Sequence, residues 1–313
     1  MAGSGQRFVD AGYTVPKPLI RVGTKCLIEH VVGMFNPNDH FIFICNAHHA
    51  ALPEMQARLA LLSKRLRKVE LVAMPEHKQG PVYTVSAAFD LIPGQEQAMV
   101  AYCDGVVPYN PPDFQKHVSN LDGCLFTHTG FHPHTLSATR MAFIREVDGH
   151  VLEVKEKASY TDSPEKEHAS SGLYWFKTGE MLKHYFQRAM SENENIAHNG
   201  EYYVTLVYNI MIGDDCSVGY YDTEFVAILG TPHEVENYEA WRKIVQNPYL
   251  TNDQHTLSCY EYWQRFDQKH GLLCSFTRIV AIRTDGCWEW KTTPRTLKKL
   301  SRKVSMLRLT CAR

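Results

Sequence analysis

Short runs of apolar residues alternate along this chain with segments whose apolar residues recur at helical spacing. His40-Phe-Ile-Phe-Ile-Cys45 and Ala98-Met-Val-Ala-Tyr-Cys103 are continuous apolar runs, typical of strands that are buried on both faces. Leu52 to Leu66 places its apolar residues along one stripe, which predicts a helix. Alternating strands and helices favour an α/β fold with a doubly wound, mostly parallel sheet. The same criteria predict strands at 69–73, 124–127, 142–144, 150–154, 170–176 and 224–228, and helices at 82–92, 180–190, 202–212 and 232–245.

A glycine-containing loop opens the chain, at Ala2-Gly-Ser-Gly5. Glycine leaves no side chain between the backbone N–H groups of such a loop and a bound phosphate. A phosphate-binding loop in an α/β fold normally follows a strand, yet only Met1 precedes this one. We therefore expect the first strand of the sheet to be missing, either because the chain is shortened at an internal methionine or because the strand is supplied differently.

Three charged residues complete a pattern suited to a nucleoside triphosphate. Arg7 follows the glycine loop, and its guanidinium can bind a phosphate through two hydrogen bonds. Lys17 lies between Pro16 and Pro18, which restrict the backbone that carries its ammonium group. Asp104 ends an apolar strand, at the edge where open α/β sheets bind ligands, and is a candidate ligand for a divalent cation.

The ordered combination of these motifs resembles the sugar nucleotidyltransferases. That family carries a G-x-G-x-R loop, then P-K-P-L, then a lysine before an apolar helix, which here begins after Lys25. The resemblance implies a fold of the nucleotide-diphospho-sugar transferase type and Mg²⁺ as the cofactor, held by Asp104. It implies catalytic roles for Arg7, Lys17 and Asp104. It also implies nucleotide contacts from Ala2, Gly3, Ser4, Gly5, Gly80 and Pro81.

The second half of the resemblance concerns the phosphorylated acceptor. Glu156 and Lys157 match the family's E-K-P signature, although Ala158 replaces the proline. Gly172 matches a glycine that lets the sugar approach a strand backbone, with Ser170 in place of the family's asparagine. Glu201 occupies a region that also faces the acceptor in the family. The resemblance thus implies acceptor contacts from Glu156, Lys157, Gly172 and Glu201.

One position departs from the family in a way that affects the metal. Ile228 stands where W-x-D-x-G-T-P supplies the second Mg²⁺ ligand, and isoleucine cannot bind a cation. Asp222 or Glu224 can supply a carboxylate instead, or the protein can be an altered enzyme. The interpretation we favour is that Asp104, phosphates and water hold Mg²⁺. The V-x-x-x-G-T-P ending, with the loop from Arg7 to Thr14, is most similar to capsule-associated cytidylyltransferases.

Composition and charge limit the possible partners and the compartment. The 313 residues are 44% apolar and have a net charge of −1, which gives no reason to expect nucleic acid as a partner. No apolar run of membrane-spanning length occurs. Nine dispersed cysteines indicate reduced thiols and a cytoplasmic protein. A homo-oligomer is left open.

The organisation that follows is a nucleotidyltransferase domain at 1–246 and a basic extension of unknown role at 247–313. From Leu250 onward, 12 lysine and arginine residues face five acidic ones. Residues 297–309 carry leucines at helical spacing and predict a terminal helix, packed on the protein or in contact with anionic lipid or an acidic partner.

These observations predict an enzyme that joins a nucleoside triphosphate to a sugar 1-phosphate, or a similar phosphorylated acceptor, and releases pyrophosphate. Precursors of surface or capsular polysaccharide are the expected products. A glycosyltransferase of the related fold is an alternative, although the chain has no Asp-x-Asp metal motif. A catalytically degenerate nucleotide-binding protein is a second alternative, motivated by Ile228 and the missing strand.

Overall fold

The computed structural model describes most of the chain as two compact units. The described residues are 1–3, 5–130, 141–191, 197–223, 226–246, 278–284, 287–293 and 307–309. The first unit carries those up to Val235, and the second carries those from Glu236 onward. None of the described helices is long and apolar enough to cross a membrane.

Helices and strands alternate through the first unit, as the hydrophobic pattern predicts. The helices are α1 Gln6–Asp10, α2 Leu27–Val32, α3 Ala47–Ala50, α4 Pro53–Ser63, α5 Gly80–Ser86, α6 Pro111–His117, α7 Gly179–Ser191, α8 Val204–Gly213 and α9 Pro232–Gln246, whose residues from Glu236 onward belong to the second unit. The strands are β1 Arg21–Val22, β2 Lys25–Cys26, β3 His40–Asn46, β4 Lys68–Met74, β5 Ala98–Ala101, β6 Gly105–Val106, β7 Gly123–His128, β8 Phe143–Val147, β9 His150–Lys155, β10 His168–Phe176, β11 Ala197–His198, β12 Glu201–Tyr202, β13 Val218–Asp222 and β14 Ala227–Ile228.

The helix predicted at 82–92 is shorter than its apolar pattern indicates. It ends at Ser86, and a 3₁₀ turn at Phe89–Leu91 follows. Pro93 disfavours helical backbone at Ile92, whose ψ of 117° is extended. The strand predicted at 224–228 is confirmed at Ala227–Ile228, whereas Val226 is described but is not part of a strand, and 224 and 225 lie outside the described residues.

The main sheet corrects the expectation of a mostly parallel arrangement. Its six strands run in the order β5-β10-β7-β13-β9-β8. Within this sheet, only β13 and β7 pair in parallel among the described residues. The reason is that β10 runs antiparallel between β5 and β7, while β8 and β9 form a hairpin. A further pairing joins β10 to β8, so that the five strands β10, β7, β13, β9 and β8 form a closed ring.

Two hydrophobic layers cover the two faces of this sheet. Successive residues of β7 alternate between them, so that Leu125 joins one layer while Cys124 and Phe126 join the other. The first layer includes residues of α5, α7 and α8, and the second includes Phe114 of α6 and Trp175 of β10. The sheet is therefore buried on both faces along β10 and β7.

Strands β3 and β4 form a separate parallel pair beside the main sheet. Their register runs from His40 opposite Lys68 to Asn46 opposite Met74, and α2 and α4 pack against them. Among the described strands, β3 pairs only with β4, and β5 pairs only with β10. The absence of a first strand stays a prediction, and residues of both β3 and β5 line one cleft.

The second unit contains a three-stranded antiparallel sheet. Its strands are β15 Arg278–Thr284, β16 Cys287–Thr293 and β17 Leu307–Leu309, in the order β15-β16-β17. The helix predicted for 297–309 is wrong at 307–309, because β17 pairs with β16 there. The remainder of that prediction, 297–306, lies outside the described residues.

Candidate active site

A cleft of 1440 Å³ in the first unit brings together most of the residues that the sequence singles out. Its wall joins the glycine loop, the end of β5, the start of α5 and the segment around β12. Arg7, Glu156, Lys157 and Gly172 are outside this wall within the described part of the chain, and Ser4 lies outside the described residues. The predicted residues that line the cleft are Ala2, Gly3, Gly5, Lys17, Gly80, Pro81, Asp104 and Glu201.

The glycine loop turns sharply into α1 at Gly5. This residue has φ of 69°, in the left-handed region that a residue with a side chain adopts at a cost, and its carbonyl accepts from the Phe8 N–H at 2.8 Å. Phe8 is buried beneath the loop, and Lys17 Nζ lies 5.8 Å from the centre of its ring. Arg7 is exposed on α1. The loop therefore holds Lys17 at the cleft wall and leaves the Arg7 guanidinium accessible to an anion.

Lys17 and Asp104 form an ion pair at the centre of this wall. Lys17 Nζ donates to Asp104 Oδ2 at 2.5 Å, and each side chain is 21% exposed. Burial alone would lower the pKa of Lys17, but the Asp104 carboxylate outweighs it and the pKa is raised. Burial alone would raise the pKa of Asp104, but the Lys17 ammonium holds it below its ordinary value. Both groups are consequently charged at neutral pH.

The backbone of Asp104 is fixed by a strand far along the chain. The Leu229 N–H donates to the Asp104 carbonyl at 2.7 Å, and Ile228 of β14 lies opposite Gly105 of β6. Ile228 is therefore beside Asp104, as expected, and offers no ligand atom. Of the two carboxylates considered as replacements, Asp222 is engaged elsewhere, and Glu224 lies outside the described residues.

Asp222 belongs to another cluster at the end of β13. Its Oδ1 accepts from Thr127 Oγ1 at 3.0 Å and lies 3.2 Å from His168 Nδ1. A carboxylate does lie close to Asp104, and it is Glu234, in the first turn of α9. Burial, with a contribution from the Asp104 carboxylate, raises the pKa of Glu234.

The turn that begins α5 is held by a chain of hydrogen bonds around His77. The Gln79 N–H donates to His77 Nδ1 at 3.1 Å, so the proton of a neutral His77 is on Nε2, which lies 3.0 Å from Thr84 Oγ1. Burial lowers the pKa of His77 and favours this neutral form. Gly80 has φ of 87°, and a β-carbon there would lie 2.7 Å from both the nitrogen and the oxygen of Tyr202.

The predicted acceptor residues form a network centred on Tyr203. Lys157 Nζ donates to Tyr203 Oη at 2.5 Å and lies 4.4 Å from the centre of its ring. Tyr203 Oη in turn donates to Glu201 Oε2. Glu156 accepts from Thr205 Oγ1 at 2.6 Å, and burial raises its pKa. The structure thus brings Glu156, Lys157 and Glu201 together, although only Glu201 and Tyr203 reach the cleft wall.

Gly172 lies on the other side of this network, where β10 changes register. Its φ is 82°, and a β-carbon there would lie 3.5 Å from the Tyr102 ring. The Tyr102 N–H donates to the Gly172 carbonyl at 3.2 Å, and Tyr102 lines the cleft. Gly172 therefore allows β10 to bulge close to the residue that leads into Asp104.

Three residues with evident chemistry escaped the sequence analysis. Tyr203 follows Glu201 in a run of two tyrosines, and its side-chain direction depends on the turn between β12 and α8. His77 lies in a polar stretch without periodicity. Glu234 did have a signal, since Thr231-Pro-His-Glu234 is a helix-capping sequence directly after the β14 segment.

Comparison with known proteins identifies the family and the fold. The family model of the MobA-like NTP transferase domain matches residues 1–158. A nucleoside-diphosphate-sugar pyrophosphorylase from Vibrio cholerae RC9 has 22% identity and a TM-score of 0.64, over 76% of this chain and 97% of that one. UTP-bound UGPase from Acinetobacter baumannii has 15% identity and a TM-score of 0.57, over 82% of this chain and 96% of that one.

A structure of UDP-glucose pyrophosphorylase from Acinetobacter baumannii is also similar, with 14% identity and a TM-score of 0.57, over 86% of this chain and 96% of that one. No curated protein matches the chain by sequence. The solved structures show a common fold, and the family model covers half of the chain, including Lys17 and Asp104. The chain therefore belongs to the MobA-like NTP transferase family and is a nucleotidyltransferase.

Proposed function

We propose that the protein joins a nucleoside triphosphate to a sugar 1-phosphate, or to a similar phosphorylated acceptor, and releases pyrophosphate. The observation that carries this proposal is the Lys17–Asp104 pair, which lies in one cleft with the glycine loop and Glu201. The first two features suit a triphosphate, and the Glu201–Tyr203–Lys157 network suits a hydroxylated, phosphorylated acceptor. The structural neighbours named as sugar-nucleotide pyrophosphorylases support a sugar phosphate as acceptor.

The reaction needs no nucleophile from the protein. An oxygen of the acceptor phosphate forms a bond to the α-phosphorus, and the bond between that phosphorus and the oxygen bridging to the β-phosphate breaks. Pyrophosphate leaves with the electron pair. Both reactants are anions, so positive charge and backbone N–H groups must offset their repulsion and stabilise the transition state.

Residues around the glycine loop take the triphosphate in this proposal. Gly3 and Gly5, with Ala2 and Ser4, present backbone to the β- and γ-phosphates, and Arg7 adds a guanidinium from the exposed face of α1. Lys17 stabilises the charge that develops around the α-phosphorus. Gly80 and Pro81, which also line the cleft, contact the base. Nothing in these contacts selects among cytosine, uracil, guanine and thymine.

The network around Tyr203 takes the acceptor. Lys157 positions the acceptor phosphate, while Glu156 and Glu201 accept hydrogen bonds from hydroxyl groups. Gly172, at the β10 bulge, leaves room for the sugar to approach the backbone. Holding both reactants in one orientation is itself a large part of catalysis of this kind.

The donor set fits Mg²⁺, since Asp104 offers a charged carboxylate at the cleft wall. When bound, Mg²⁺ would offset charge on the phosphates. Lys17, whose ammonium is paired with Asp104 in this structure, would then be available to the substrate phosphates. The pattern from Arg7 to Thr14 supports a precursor of surface polysaccharide as the product, made in the cytoplasm.

Pyrophosphate release with Mg²⁺ tests the proposal. Each of CTP, UTP, GTP and dTTP is combined with a panel of sugar 1-phosphates and other phosphorylated metabolites. Release that requires one triphosphate and one acceptor supports it, with turnover reduced about 100-fold or more in Asp104→Asn. Asp162→Asn is the matched control, because Asp162 is an exposed carboxylate outside the cleft wall. Folded protein that releases no pyrophosphate with any pair contradicts the proposal.

A further inference from the structure

Glu234 begins as an ordinary helix-capping residue. It lies in the first turn of α9, and its backbone N–H donates to Thr231 Oγ1 at 3.3 Å. The Val235 N–H donates to the Thr231 carbonyl at 3.1 Å, which starts the helix. Glutamate at this position of a capping sequence normally returns one carboxylate oxygen to the start of the helix. Capping therefore needs only one oxygen of the Glu234 carboxylate, and the other oxygen has no part in it.

The second oxygen, Oε2, is buried and has no hydrogen-bond partner. A buried carboxylate oxygen without a donor is destabilising, so such an atom in a folded protein indicates a missing ligand or a functional role. The neighbouring Asp104 carboxylate aggravates this cost, because two like charges repel. The Lys17 ammonium on Asp104 Oδ2 offsets part of this repulsion, and a divalent cation at Glu234 Oε2 would supply the partner that this oxygen lacks.

Gly230 keeps the space between the two carboxylates open. A β-carbon on this residue would lie 2.8 Å from Asp104 Oδ2 and 3.4 Å from Glu234 Oε2. Any larger residue would therefore fill the region that both oxygens border. The arrangement is held on the backbone as well, since Leu229, the residue before Gly230, donates its N–H to the Asp104 carbonyl at 2.7 Å.

We propose that Glu234 is the second carboxylate that holds the divalent cation together with Asp104. The inference rests on the proposed function, in which a cation accompanies the triphosphate. Mg²⁺ prefers oxygen ligands and is commonly bound by one or two carboxylates plus phosphates and water. Ile228 contributes nothing at this place, and Glu234 reaches the same carboxylate from the helix that follows. The chain thus keeps a two-carboxylate site by moving the second ligand six residues along the sequence.

Glu234→Gln separates this role from simple capping. Glutamine serves the capping sequence as glutamate does, so the variant keeps the helix start and loses only the charge. Glu236→Gln is the matched control, because Glu236 is exposed on the same helix and the charge change is identical. The probe is Mn²⁺ alone, whose free concentration is followed by electron paramagnetic resonance, with thermal unfolding in the absence of metal as the check on folding.

We expect Glu234→Gln to weaken Mn²⁺ binding at least about tenfold, while its metal-free melting temperature is equal to or higher than that of wild type, because the uncompensated carboxylate charge is gone. Glu236→Gln should bind Mn²⁺ like wild type. Gly230→Ala provides a second variant, since its β-carbon intrudes on Asp104 Oδ2, and it should weaken Mn²⁺ binding as well.

Two results overturn the inference. One leaves the proposed function intact, and the other contradicts it as well. If wild type binds Mn²⁺ and releases pyrophosphate while Glu234→Gln binds Mn²⁺ equally well, the role of Glu234 is wrong and the proposed function stands. If wild type neither binds Mn²⁺ nor releases pyrophosphate, both are wrong.

Discussion

Replacing Lys17 by methionine tests the central ion pair most directly. Methionine keeps much of the length and apolar body of the side chain but removes the ammonium that lies 2.5 Å from Asp104 Oδ2. The Asp104 carboxylate then remains within the cleft wall without its partner. Two separate properties should change, the free energy of unfolding and the rate of nucleotidyl transfer.

The structure sets the size of the stability change. Removing one partner of a buried ion pair costs about 3–5 kcal/mol, because the other charge stays buried and uncompensated. Both side chains here are 21% exposed, so water relieves part of that cost. We expect a loss of about 2–3 kcal/mol, which corresponds to a fall in melting temperature of roughly 4–12 °C for a domain of this size. Turnover should fall about 100-fold or more.

The double variant Lys17→Met with Asp104→Asn distinguishes the two effects. With both charges removed, the Asp104 position no longer carries an uncompensated charge, and we expect stability to return to within about 1 kcal/mol of wild type. Turnover should stay as low as in either single variant, because the charges act on the substrate. Calorimetry at pH 7 without nucleotide measures the first property, and pyrophosphate release measures the second. A Lys17→Met protein with wild-type turnover, or a double variant no more stable than the single one, would refute this reasoning.

Three further predictions concern the walls of the cleft. Gly80→Ala should lose about 1–3 kcal/mol in chemical denaturation, because φ is 87° and the new β-carbon meets the Tyr202 backbone at 2.7 Å; an unchanged midpoint would contradict this. Tyr203→Phe removes the hydroxyl that accepts from Lys157, and the KM for the acceptor should rise about tenfold while the KM for the triphosphate is unchanged; equal shifts in both would argue against the assignment. His77 should titrate by NMR below the ordinary pKa of about 6.5, so that its contribution to stability is complete above about pH 6.5 and is lost as the pH falls to the lowered value; a pKa above 6.5 would exclude the hydrogen-bond chain described here.

Local patterns predicted most individual elements correctly. The amphipathic stripes at 180–190 and 202–212 form α7 and α8, and the apolar runs at 40–45 and 69–73 form β3 and β4. Each of these depends only on neighbouring residues, so the sequence carries the information directly. The glycine loop, Lys17 and Asp104 were recognised for the same reason, since their spacing is a local pattern and the cleft indeed unites them.

The direction of the sheet and the carboxylate beside Asp104 could not be predicted in this way. An apolar run has the same composition whether its neighbours are parallel or antiparallel, so β10 gave no sign that it runs antiparallel to both β5 and β7. Glu234 approaches Asp104 only because β14 pairs with β6. The Tyr203 hydroxyl joins Lys157 to Glu201, and its position depends on a turn that no short sequence motif predicts.

The pairing of β6 with β14 also governs the order in which the active site is assembled. The hydrogen bond from Leu229 to Asp104 joins residues that are widely separated in sequence, so it closes a long loop and is expected to form late in folding. During synthesis, Asp104 leaves the ribosome well before its backbone partner exists. A fragment limited to residues 1–158, the part that the family model matches, would contain the glycine loop, Lys17 and Asp104 yet lack the strand that fixes Asp104. Catalytic competence should therefore appear only after β14 and the start of α9 have been made, long after the phosphate-binding loop at the first residues of the chain.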